Sequence, residues 1–264
     1  MRIGFIGTGN MASAIIGGIL EKGIVSADNI ISSDKNEPQR KAVEEKYHIH
    51  TTGDNCEAVR ESDILFLCVK PQMIADVVNE ISGEVKDDQL LISIVAGKSL
   101  DWYYEAFGRN IRLIRTMPNT PALVGEAMIA AVIGKGVSDA QKDDALKLLA
   151  ACGQVEVVGE NLMDAVVAVS GSSPAYVFML IEAMADAAVS EGMPRAQAYK
   201  FASQAVLGSA KMALTLGKHP GELKDMVCSP AGTTIEAVRV LENLGFRSSI
   251  IEAMKACAEV NRNL

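Results

Sequence analysis

The chain has 264 residues, 49% of them hydrophobic but only 5% aromatic, which favours two domains or one large α/β domain and excludes a disordered chain or a disulfide-stapled scaffold. With 25 basic against 33 acidic residues the net charge is −8, a poor match for nucleic acid or an anionic membrane surface. Five cysteines, Cys56, Cys68, Cys152, Cys228 and Cys257, form no C-x-x-C pair and read as reduced thiols of a cytosolic protein. Met1 and Arg2 run straight into an apolar strand pattern with no secretory signal, so a cytoplasmic location is expected.

Residues 2–6 predict the first strand. Directly behind it Gly7-Thr8-Gly9-Asn10-Met11-Ala12 has the G-x-G-x-x-A form and opens a helix over 11–22. Gly7 permits the tight turn, Gly9 lets backbone approach a pyrophosphate, and Ala12 allows close helix–strand packing. An ordinary tight turn is the plain alternative, and dinucleotide binding is the reading favoured by the following βαβ pattern. The second strand, 29–33, ends in Ser32-Ser33-Asp34-Lys35, with Arg40 in the next helix, 37–46. Ser33, Lys35 and Arg40 would suit a 2′-phosphate, whereas Asp34 would suit a free ribose hydroxyl, so NADPH and NADH both stay open. His48-x-His50 lacks a third ligand and reads as surface histidines, so no metal is expected.

The apolar run 64–69 fits a strand covered on both faces, and Lys70-Pro71 follows at its carboxyl end. Lys70 is there either a surface cation or a cofactor contact. A helix over 72–81, a strand over 90–94, a helix over 102–107 and a strand over 112–117 follow. The last ends in Met117-Pro118-Asn119-Thr120-Pro121, where Asn119 either bonds a nicotinamide amide or ribose or merely stiffens a loop. Strands over 128–133 and 154–158 flank a helix over 139–150. Strands alternating with helices predict an α/β fold, a Rossmann-type, doubly wound and mostly parallel sheet over residues 1–160.

From 161 to 264 the pattern is all-helical, with helices expected over 162–170, 174–191, 195–216, 221–227, 233–243 and 246–262. This half holds 7 of the 12 Met, and several helices are apolar nearly all round, which requires burial on more than one side. Burial against the same domain of a second copy is expected, with a compact monomeric bundle as the alternative. The most apolar stretch, 162–189, is interrupted by Asp164, Ser170-Gly171-Ser172-Ser173-Pro174, Glu182 and Asp186, so no membrane span is expected. Within Cys228-Ser229-Pro230-Ala231-Gly232-Thr233-Thr234, free backbone N–H groups and hydroxyls at a helix start suit a carboxylate. Alternatively, Thr233 only caps the helix. No G-x-S-x-G elbow, Ser/His/Asp order or P-loop is present, and hydride transfer to an electrophilic acceptor is the chemistry that needs fewest acid–base groups.

Five segments in this order, Phe5 to Ala12, Val69-Lys70-Pro71, Met117 to Pro121, Ser170 to Tyr176 and Val227 to Glu242, make the whole chain resemble the pyrroline-5-carboxylate reductase family. The resemblance implies reduction of (S)-1-pyrroline-5-carboxylate to L-proline by NADPH or NADH. It implies that Ile6, Gly7, Thr8, Gly9, Asn10 and Met11 hold the pyrophosphate, that Ser33 and Lys35 flank the adenosine ribose, and that Asn55 lies near the adenine. Val69, Lys70, Pro71 and Ala96 would line the nicotinamide half. The N–H groups of Thr233 and Thr234, in a turn shared with Ser229 and Gly232, would hold the substrate carboxylate, with the Thr234 hydroxyl at the ring nitrogen as the catalytic contact. Glu160 matches a position near the substrate. The family forms dimers through its helical domains, often five to a ring, with sites between subunits. Two departures are a Ser at 173, where the family has Gly, and Met226, where some members have Asn that reaches the cofactor. A β-hydroxyacid-dehydrogenase-like enzyme, which would need a catalytic Lys in the helical half where no motif surrounds Lys200 or Lys211, and a non-catalytic dinucleotide-binding protein are the competing functions.

Overall fold

The computed structural model describes residues 1–262. They form two compact units, one of Met1–Ser172 together with the stretch from Ala258, the other Ser173–Cys257. The first unit is built on β1 (Ile3–Ile6), β2 (Ile30–Ser33), β3 (His50–Thr52), β4 (Ile64–Leu67), β5 (Leu90–Ser93), β6 (Arg112–Met117), β7 (Ala127–Ile133) and β8 (Gly153–Val157). Their order in the sheet is β3-β2-β1-β4-β5-β6-β7-β8. The first six strands are parallel, and β7 turns antiparallel to β6. The order reverses between β1 and β4, the crevice where doubly wound sheets bind ligands.

Helices α1 (Asn10–Glu21), α2 (Glu37–Tyr47), α3 (Asn55–Arg60), α4 (Ile74–Ile81), α5 (Leu100–Phe107) and α6 (Asp139–Leu149) connect the strands. Alternate strand residues feed two cores. Ile3, Phe5, Phe66 and Ile92 pack with Ile15, Ile16 and Ile19 of α1, while Ile6, Leu65, Leu67 and Leu91 pack with Ile74, Val78 and Tyr103. Phe5 stacks on Phe66 at 4.7 Å. Caps are read directly from the residues: Asn36, Asp54 and Ser99 accept backbone N–H groups of α2, α3 and α5, and Ser138 with Gln141 forms a capping box on α6.

Two elements escape the sequence pattern. β3 is a three-residue, polar edge strand, and α3 has six residues, so neither is long enough to show a period. The two histidines flank that region. His48 closes α2 in the left-handed conformation, φ 56, and His50 pairs with Glu57 at 3.4 Å.

After β8 come α7 (Met163–Val166), a π turn over Val167–Gly171, and then α8 (Ser173–Ser190), α9 (Arg195–Leu216), α10 (Pro220–Val227), α11 (Thr233–Asn243) and α12 (Phe246–Arg262). Met163 and Val166 pack in the sheet's own core, which places the boundary between the compact units beyond residue 160. Ser173 begins α8 and is not among the residues with positive φ, so the Gly-to-Ser departure needs no left-handed backbone. The run Glu160–Ser190 is long and apolar enough to cross a membrane by length and composition. The Ser-Gly-Ser-Ser-Pro run does not break it, because the chain continues there as helix. In the second unit only Ala185, Ala198 and Ala202 are buried apolar residues, while Phe178, Met179, Phe201, Leu207 and Leu214 are exposed. A helical unit with so little interior must cover its apolar surface with something else.

Candidate active site

At the end of β1 the chain turns through Gly7 with φ 98, and a Cβ there would lie 2.6 Å from the carbonyl oxygen of Cys68. Only glycine fits this geometry. Gly9 differs, because it is the N-cap of α1 in extended conformation, has no side-chain cap, and a Cβ on it would meet nothing within 4 Å. The first N–H groups of α1 thus face open space beside a close backbone approach, which fits a dinucleotide pyrophosphate.

Asp34 braces this turn. Its Oδ2 accepts from Thr8 N and Oγ1, both at 2.9 Å, and its Oδ1 accepts from Asn36 N at 2.9 Å. Gln39 Nε2 also donates to the Thr8 carbonyl at 3.2 Å. The acid that sequence set against a 2′-phosphate is therefore engaged at both oxygens. Ser33 is fully buried and donates to Asn55 Oδ1 at 2.7 Å, so its hydroxyl is part of the wall and is not presented to a 2′-phosphate. Asn55 donates in turn to Glu80 at 2.9 Å, and Glu80 pairs with the exposed Lys35 at 3.6 Å.

Ile6, Gly7, Gly9, Ser33, Lys35, Asn55, Val69 and Lys70 line one cleft of about 410 Å³ together with Asp34, joined by Gln39 and Asp76, which sequence did not select. Thr8, Asn10, Met11, Pro71 and Ala96 are not in its walls, Ala96 lying in the turn after β5. Burial pushes the Cys68 thiol up, well beyond its usual range, so the one thiol at this cleft stays protonated.

Asn119 is held in the loop after β6. It is buried, donates to the Ser170 carbonyl at 2.9 Å and accepts Met128 N at 3.0 Å. Each end of its amide carries one backbone hydrogen bond, the bridging that the rigid-loop alternative requires. Glu160 Oε1 accepts Leu100 N at 2.8 Å and Arg115 Nη1 at 2.9 Å. Sequence reasoning did not select Arg115, whose signal is a second, buried arginine in a strand that already begins with Arg112.

In the helical unit Gly232 is the N-cap of α11 with no side-chain cap. Thr233 is the first helical residue, so it does not cap the helix as the plain alternative required. The turn closes through Gly232 N to the Ser229 carbonyl at 3.0 Å, and neither Thr233 nor half-buried Thr234 bonds through its hydroxyl among the described residues. Met226 is exposed on α10. Lys200 and Lys211 both lie on α9. Ala231 holds φ 54, a left-handed conformation that costs a non-glycine residue about 1 kcal/mol. Ala231→Gly is expected to raise the unfolding free energy by up to about 1 kcal/mol, less its own gain in unfolded-state entropy, as a denaturant midpoint would record.

Comparison with known proteins agrees with both units. Residues 160–264 match the family model "Pyrroline-5-carboxylate reductase dimerisation", and residues 2–97 match "NADP oxidoreductase coenzyme F420-dependent". The pyrroline-5-carboxylate reductase of Escherichia coli K12 is 49% identical over 263 residues, covering 100% of this chain and 98% of the relative. That of Arabidopsis thaliana is 40% identical, covering 100% and 95%. Among solved structures, the Coxiella burnetii enzyme superposes with a TM-score of 0.92 at 32% identity, over 99% of this chain and 97% of that one. The Plasmodium falciparum enzyme, solved with NADP bound, gives 0.89 at 30%, over 100% and 97%. The unburied apolar helices thus coincide with a dimerisation module, and a homodimer accounts for them. On whole-chain identity and fold together, the chain belongs to the pyrroline-5-carboxylate reductase family.

Proposed function

We propose that the protein reduces the cyclic imine 1-pyrroline-5-carboxylate to L-proline with NADPH or NADH, the last step of proline synthesis. The carrying observation is a pair of uncapped helix N-termini in one chain, one behind a dinucleotide turn at Gly9 and one behind Gly232 with an unengaged Thr234 hydroxyl. A reduced nicotinamide supplies the hydride when bound. Residues 6–11 hold the pyrophosphate, Lys35 stands at the ribose, Asn55 supports the adenine end, and Val69, Lys70, Pro71 and Ala96 belong to the nicotinamide half. The N–H groups of Thr233 and Thr234 hold the carboxylate within the Ser229–Gly232 turn, and the Thr234 hydroxyl fixes the ring nitrogen. Orientation suffices because a protonated imine is already electrophilic.

NADPH is the preferred donor in this reading, since Asp34 is engaged at both oxygens and Lys35 is exposed beside the ribose end. The homodimers assemble five to a ring in the cytoplasm, and the apolar run of α8 serves dimer burial rather than a bilayer. Nucleic acid is not a partner. Following NAD(P)H absorbance with pyrroline-5-carboxylate, with a keto acid and without substrate tests the activity, and parallel NADPH and NADH titrations test the preference. Oxidation with the keto acid alone would favour a hydroxyacid dehydrogenase, and none at all a binding protein. Removing one hydrogen bond from the transition state costs about 1–2 kcal/mol. Thr234→Ala is therefore expected to lower kcat/KM roughly 5–30-fold, and unchanged kinetics would remove Thr234 from the site.

A further inference from the structure

Arg115 is 7% exposed within β6, preceded by fully buried Leu113 and Ile114 and followed by buried Thr116, and its Nε is buried without a hydrogen-bond partner among the described residues. An apolar residue would serve a sheet core as well, because a buried ion pair rarely adds stability over well-packed hydrophobic side chains. Its place in the sheet is specific. Strand register runs Ser33 to Ile6, Ile6 to Leu67, Leu67 to Ser93 and Ser93 to Arg115. Arg115 therefore stands in the row that ends β1, β2, β4 and β5, at the ligand-binding edge of the sheet. The neighbouring titratable group, Tyr103, bonds Ser93 at 2.6 Å and is pushed up to about 12 by burial, so it stays neutral and leaves the guanidinium charge to Glu160.

Both donors to Glu160, Leu100 N and Arg115 Nη1, converge on Oε1. Oε2 receives no hydrogen bond among the described residues, and about a third of the side chain is exposed (33%). We propose that Arg115 is a positioning residue for the reduction, holding Glu160 by one carboxylate oxygen so that the other is presented to the substrate. The inference rests on the proposed function and on the position near the substrate that the family resemblance implies for Glu160. The guanidinium supplies direction and charge, the α5 N–H locks the rotamer, and the substrate meets an acceptor already oriented before it arrives.

The test is a double-mutant cycle on the full chain, with Arg115→Met, Glu160→Gln and their combination, plus Arg115→Lys. Initial rates give KM for pyrroline-5-carboxylate, and nicotinamide fluorescence gives the Kd of NADPH. A charge-assisted hydrogen bond predicts that Arg115→Met and Glu160→Gln each raise that KM about tenfold or more, with NADPH Kd changed less than about twofold. Arg115→Lys should recover part of the loss. In the Glu160→Gln background Arg115→Met should add less than about twofold. Full multiplication of the two losses, or a parallel rise in NADPH Kd, would overturn the proposal. If Arg115→Met does not fold, Arg115→Lys is compared in both backgrounds: a loss confined to wild type supports the proposal and an equal loss overturns it. A wild-type enzyme inactive on pyrroline-5-carboxylate would instead remove the proposed function, and an unchanged KM in Glu160→Gln would remove Glu160 from the substrate.

Discussion

Gly7→Ala is expected to destabilise the sheet unit by about 2–5 kcal/mol, while Gly9→Ala leaves its stability nearly unchanged and abolishes tight cofactor binding. At Gly7 two costs add. A non-glycine residue at φ 98 pays about 1–2 kcal/mol for the left-handed region, and the new methyl lies 2.6 Å from the Cys68 carbonyl, a backbone atom that moves only with β4. At Gly9 the backbone is extended and the methyl meets no protein atom within 4 Å. The same methyl occupies the space through which a pyrophosphate approaches the α1 N–H groups, so it displaces the ligand and not the fold. Thermal melts of the apo protein and NADPH titration by fluorescence separate the two outcomes. A Gly9→Ala variant that binds NADPH as wild type does would show that the phosphates sit elsewhere.

Phe178→Asp is expected to convert the dimer to monomer at micromolar concentration and to lower activity at least about tenfold. Phe178 of α8 is 63% exposed in the single chain. Burying a phenylalanine against a partner is worth about 1.5–3 kcal/mol, and a two-fold interface counts the loss twice. A carboxylate left unpaired in that interface adds several kcal/mol. The sum, about 5 kcal/mol or more, weakens the dimer Kd by roughly 10⁴. Light scattering behind size exclusion reads the mass, and circular dichroism shows whether α8 stays helical. A dimer that survives would place Phe178 on a face that the second copy does not cover.

Much of this architecture is written locally. Apolar runs at 3–6, 64–67 and 90–93 and helical periods between them declare a parallel sheet, and Ser138 with Gln141 announces a helix start four residues at a time. β3 and α3 were illegible because three and six residues carry no period, and their pairing depends on β2 and α4 being in place. Asp34 shows the limit of a motif. Its position at the end of β2 suggests a ribose contact, yet its carboxylate turns back 26 residues to Thr8. Asn119 likewise looks like a ligand contact until its amide is seen to bridge to Ser170, 51 residues on.

Sequence by itself determined the strand–helix alternation, the glycine turn at 7–9 and the helical second half, with its all-round apolar helices. Each of these is set by side-chain periodicity, by backbone freedom at single residues, or by summed apolar content. Tertiary structure alone decided which polar groups are free to meet a ligand. Arg115 meets Glu160 across 45 residues of chain, Asn55 reaches Glu80 across 25, and the Thr234 hydroxyl meets no partner among the described residues. A hydrogen bond lasts 3 Å and is indifferent to separation along the chain, so the assignment of partners waits until folding has brought distant strands to one edge.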